Sequence, residues 1–118
     1  MAVEHARQGK AGGGGKGNGV TIPKSVIVNG VSIKIEWVKD LRNEKGDHLS
    51  GQADYAADTI RIERSTPAGR VPEVFLHELI HMVCNDLTIN ISEDDTRRLA
   101  CCLYGTIVAN KLDFRGKQ

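Results

Sequence analysis

The sequence predicts an α+β domain. Three observations carry that reading: β-rich runs on either side of Asn29-Gly30, an apolar stretch without a helix breaker from Val74 to Cys84, and a second helix announced by Ser92 and the acids after it. The composition agrees. Of 118 residues, 40% are hydrophobic and 26% charged, ordinary globular usage that excludes a wholly disordered, collagenous or coiled-coil chain. With 16 Lys+Arg against 15 Asp+Glu the formal charge is +1, too balanced for binding driven mainly by phosphate neutralisation. No run approaches the roughly 18 apolar residues of a membrane span, and residues 1–20 lack the apolar centre of a secretory signal. The expectation is a cytoplasmic protein with no membrane partner and nucleic acid not favoured.

Along the chain, residues 1–20 read as a flexible tail, because GKAGGGGKGNG is costly to order and brings little to pack. A single domain is expected over 21–113, with folded structure starting near Ile22, and 114–118 as a short C-terminal tail. From Val26, V-I-V-N-G-V-S-I-K-I-E-W is a hairpin around a type I′ turn, with Val31, Ile33, Ile35 and Trp37 on the buried face. The charged stretch Leu41 to Leu49 is a loop. Ala53 to Tyr55 and Thr59 to Glu63 are short strands around Ala56-Ala57-Asp58, and Ser65 to Arg70 is a connector. Pro72 fits a first helical turn, and the apolar helix after it is expected to be buried. About six residues from Asp86 then lead to Ser92, whose capping box with Glu93, Asp94 and Asp95 opens a second helix running to about Lys111. The predicted whole is a small, mainly antiparallel sheet packed on two helices.

Three cysteines, Cys84, Cys101 and Cys102, make an odd set with two neighbours on one helix, which points to a reducing compartment and to Cys84 as a small buried hydrophobe. The chemistry lies elsewhere, in His77-Glu78-Leu79-Ile80-His81. Four residues turn a helix about 40° past a full revolution, so both imidazoles share a face and can bind one metal ion, with Glu78 beside them. Such a pair suits zinc, which in catalytic sites takes three protein ligands and keeps one position for water. Glu78 is then the candidate catalytic base. An apolar helix is an expensive place for two histidines and a glutamate unless they are paired or metal-bound.

The third ligand must come from outside the motif. No histidine follows His81, and the positions that a longer histidine motif would need hold Cys84 and Leu87. A carboxylate at the start of the second helix is the alternative. Glu93 is favoured, since Thr96, Ala100, Leu103 and Ile107 follow it at helical spacing on the face expected to pack, and Asp94 is second. His48, Tyr55 and Arg97 are weaker candidates for steadying an oxyanion.

F-L-H-E-L-I-H-M-V, the acidic helix start and L-A-C-C-L-Y-G-T-I-V-A-N together resemble the small zincin-type metallopeptidase domains of the ImmA/IrrE group and related short phage and prophage proteins. D-Y-A-A-D-T-I-R-I-E is similar to the strand that precedes the metal helix in that group. The resemblance spans about Ile22 to Asn110. It implies zinc held by His77, His81 and a glutamate matching Glu93, peptide hydrolysis with Glu78 as base, and Thr59 to Glu63 as the edge along which a substrate pairs. Two other functions fit the motif: a non-catalytic zinc-binding module, and a DNA-associated protease of the SprT-like kind, which uses a third histidine that this chain lacks.

Overall fold

The computed structural model describes residues 2–6 and 22–115, and the class is α+β as expected. Among the described residues, β1 (Ala2–Ala6), β2 (Ser25–Val28), β3 (Val31–Val38), β4 (Leu49–Asp54) and β5 (Thr59–Glu63) form one mixed sheet in the order β1-β4-β5-β3-β2. β3 and β5 run parallel, and the other pairings are antiparallel. Two helices follow, α1 (Val71–Asp86) and α2 (Glu93–Asn110).

Local chemistry makes the hairpin. Asn29 and Gly30 take φ of 49° and 84°, the positive values of a type I′ turn, and Val28 pairs directly with Val31 across it. Ile33 and Ile35 are buried as the alternation requires, while Val31 is exposed and Trp37 only half-buried at the rim of the core. The centre of the core is β5. Ile60 and Ile62 have no solvent exposure and pack with Ile33, Ile35, Ala53, Val74 and Met82, each of the two isoleucines contributing roughly 1.5–3 kcal/mol by burial.

Several expectations need correcting. β4 begins at Leu49 rather than Ala53, because Leu49 and the small residues Ser50 and Gly51 can lie flat beneath a helix. The preceding segment is a loop, yet Leu41 is buried and Arg42 bridges back to His48. The carboxylate of Glu63, itself buried, accepts hydrogen bonds from the Leu41 amide (2.6 Å) and from the Ser65 hydroxyl (2.7 Å), tying both neighbouring loops to the end of β5. Thr59–Glu63 is not an edge: β5 lies between β4 and β3, so it has no free side for a substrate. Within the segment expected to be a tail, Ala2–Ala6 form β1 along β4. The physical reason is that β4 has an open edge there, and backbone donors and acceptors pair with little regard to side chains. Residues 7–21 and 116–118, which include most of both expected tails, lie outside the described residues.

α1 packs across β4 and β5, and α2 packs on α1. Pro72 sits in the first turn of α1, as its fixed φ allows. At the far end the Ile89 amide donates to the Cys84 carbonyl (2.8 Å) and the Thr88 amide to Asn85 (3.2 Å), a Schellman closure with Thr88 in the left-handed region at φ 59°. This reversal sends the chain back along α1. Ser92 then caps α2, its hydroxyl accepting from the Asp95 amide at 3.0 Å. Only the first half of α2 is packed: Thr96 and Ala100 are fully buried, but Leu103 and Ile107, expected on the same face, are 43% and 40% exposed.

Candidate metal centre

His77 and His81 occupy successive turns of α1 and are both 4% exposed, their rings edge to face with centroids 4.9 Å apart. The Schellman reversal and the Ser92 cap set the first residue of α2 opposite them. There, Glu93 Oε1 lies 3.1 Å from His77 Nε2 and 2.6 Å from His81 Nε2. One ligand atom from each of the three falls within 4.8 Å of the others, so the group can hold a metal ion. The fit can be tested. Two ligands about 2.1 Å from one tetrahedral ion stand about 3.4 Å apart, so Glu93 Oε1 needs to draw back from each imidazole by only a fraction of an ångström to share an ion with it.

Electrostatics support the same cluster. Burial alone would push the Glu93 carboxyl up, but hydrogen bonds and charge from His77 and His81 outweigh it and hold the pKa at about 2. Glu93 is thus an anion poised between two imidazoles, as a ligand must be. Asp94 and Asp95 turn away to Arg97 and Arg98 on the exposed side of α2, which favours Glu93 over Asp94 as the third ligand.

Glu78 follows His77 by 100° of helical turn and faces β4 instead of α2. It is fully buried, and Gly51 makes room for it: a Cβ placed on Gly51 would lie 2.8 Å from Glu78 Oε2 and 2.9 Å from Val74 Cγ1. The φ of Gly51 is not among the positive ones, so space, not backbone conformation, requires glycine here. A glycine inside a strand marks close approach; that signal stood in L-S-G-Q-A-D, although its partner 27 residues away did not.

A cleft of about 260 Å³ opens beside the cluster, lined by Tyr55, His81, Cys84, Glu93 and the connection around Ile89 and Ile91. Burial, and then the charges of Glu78, Cys84 and Glu93, push the Tyr55 phenol up to about 12, so it stays protonated as a donor. Of the weaker candidates Tyr55 reaches the site. His48 pairs with Asp40 in the loop, and Arg97 with Asp94 on the surface. Cys84 is buried and stands outside the ligand group, as a small core residue should. No helix among the described residues is long and apolar enough to cross a membrane. Comparison with protein-family models, curated proteins and solved structures finds no match to this chain.

Proposed function

We propose that the protein is a zinc-dependent metallopeptidase resembling the zincin-type domains of the ImmA/IrrE group. The observation that carries this is the convergence of His77, His81 and Glu93 on one point, with the buried Glu78 on the same helix turned towards a strand. Zinc fits two imidazoles and a carboxylate, and when bound it supplies Lewis-acid polarisation of a carbonyl and a water acidified towards pKa about 7. The chain's own residues do the rest. Glu78 takes the proton of the attacking water on a carboxylate oxygen and passes it to the leaving amine nitrogen. The Tyr55 hydroxyl, protonated at the cleft wall, donates to the oxygen that gains charge as the peptide carbon becomes tetrahedral.

The test compares wild type with Glu78→Gln. Glutamine keeps the shape but cannot act as a base, so the variant should retain one zinc per chain and lose hydrolysis by roughly 100-fold or more across a proteome-derived peptide library. If neither protein cleaves while both bind zinc, the peptidase reading fails and a non-catalytic zinc module replaces it. If neither binds zinc, the metal reading fails as well.

A further inference from the structure

β4 lies along the wall of the site, and both of its sides are taken. On the inner side it pairs with β5, and on the outer side with β1, antiparallel, so that Ala2 stands opposite Asp54, Glu4 opposite Gln52 and His5 opposite Gly51. At Gly51 the backbone of β4 comes close to Glu78. A strand paired to the outer side of β4 there therefore runs beside the strand on which the candidate base packs. Here that strand is the chain's own Ala2–Ala6.

Two features make β1 a replaceable occupant. Its sequence A-V-E-H-A is poor in strand formers, Val3 excepted, and it meets β4 through backbone pairing of a kind that any extended peptide can offer. Its register also shifts between His5 and Ala6, where the pairing skips Ser50 and resumes at Leu49, so the ladder is irregular just past Gly51. By contrast, β5 is fixed in the core by Ile60 and Ile62 and cannot leave without unfolding the domain.

We propose that β1 is an intramolecular strap on a peptide-binding edge: Ala2–Ala6 fill the outer side of β4, and an extended peptide gains that edge only by displacing them. The link to catalysis rests on the peptidase reading above; the occupancy of the edge does not. A strap that fills the edge about nine-tenths of the time makes a competing peptide bind about tenfold more weakly.

The experiment uses metal-free protein, so neither zinc nor hydrolysis enters the readout. Full-length chain, a variant lacking residues 2–8, and full-length Val3→Pro/Glu4→Pro are compared by hydrogen exchange and by binding of a labelled, acetylated peptide copying Ala2 to Gln8. Adjacent strand residues point their amides to opposite sides, so one of the two prolines removes a donor facing β4. Both variants should exchange faster at the β4 amides that face β1, keep protection in β5 and α1, and bind the peptide about tenfold tighter than wild type. Unchanged β4 exchange, or equal peptide binding by all three proteins, overturns the proposal. So does loss of protection in β5 and α1, which would make β1 part of the core, or a full-length dimer abolished by the deletion, which would place a second copy's strand on the edge. The zinc-loaded deletion variant then separates the two claims: an opened edge that binds the peptide without Glu78-dependent cleavage leaves the strap standing and removes the peptidase.

Discussion

Gly51→Ala is the sharpest test of the geometry on which the site depends. The added methyl carbon would stand 2.8 Å from Glu78 Oε2, 2.9 Å from Val74 Cγ1 and 3.0 Å from Glu78 Cγ. Carbon contacts normally settle at about 3.5–4.0 Å, so β4 and α1 must part by something under 1 Å. The carboxylate cannot swing aside, because Glu78 is fully buried, and Val74 is β-branched and stiff at χ1. Overpacking of this kind costs about 1–3 kcal/mol, and the lost flexibility of the unfolded chain returns about 0.4–1 kcal/mol. A net loss of about 1–2 kcal/mol lowers Tm by roughly 4–16 °C for a domain of this size. Gly105→Ala is the control. Its Cβ would meet nothing within 4 Å in the middle of α2, so the same chemical change there should add about 0.5–1 kcal/mol. Thermal unfolding of the metal-free proteins by circular dichroism reads both. Should Gly51→Ala melt with or above wild type, Glu78 does not pack against β4, and the placement of the base is wrong.

The other expectations concern the ligands and the turn that delivers them. Glu93→Gln should weaken zinc by more than about tenfold in a competition titration, since even groups outside the first shell of ligands are worth 10–100-fold, while Asp95→Asn, whose partner is Arg98, should leave affinity unchanged; the reverse order would move the third ligand. In metal-free protein the depressed pKa of Glu93 stabilises the fold fully above its ordinary value of 4.5, and that contribution fades as pH falls towards about 2. Denaturant midpoints of wild type should therefore exceed those of Glu93→Gln at pH 5–6 and converge with them by pH 2, and a constant gap would remove the His–Glu contacts as its cause. Thr88→Gly relieves a β-branched residue at φ 59° and should raise Tm by roughly 2–8 °C, with a fall showing that the threonine side chain does more than close α1.

What was legible in the sequence was what local chemistry decides. Asn29-Gly30 fixes its own turn, the helical period puts His77 and His81 on one face, and a connection of about six residues leaves the Ser92 cap little choice but to return beside them. Pairings between distant segments were not legible. Nothing in T-I-R-I-E says whether a neighbour lies on one side or both, so the sequence alone allows β5 to be an edge although it lies between β4 and β3. A-V-E-H-A carries almost no strand signal, and the open side of β4 is what orders it. The period of α2 is no better a guide: Leu103 and Ile107 continue the spacing of the buried Thr96 and Ala100, yet among the described residues they stay well exposed.

On the peptidase reading proposed above, the arrangement of α1 explains why ligand and base roles would fall to different residues of one motif. Successive helical residues diverge by about 100°, so His77 and His81 address α2 while Glu78, between them in sequence, addresses β4. The two walls are built differently. α2 contributes a single carboxylate held by a turn and a cap, and β4 contributes a backbone made bare of side chains at Gly51. A group that must bind metal needs a fixed atom, which a capped helix start provides. On the proposed reading, a group that meets a moving peptide needs an adaptable edge of amides and carbonyls, which a strand provides. Exchanging the two would leave Glu78 facing α2 and the histidines facing the strand, and the proposed base would then lie away from anything along β4. The order of residues in the motif and the order of elements in the fold therefore constrain each other, and the narrow space at Gly51 is where that constraint is tightest.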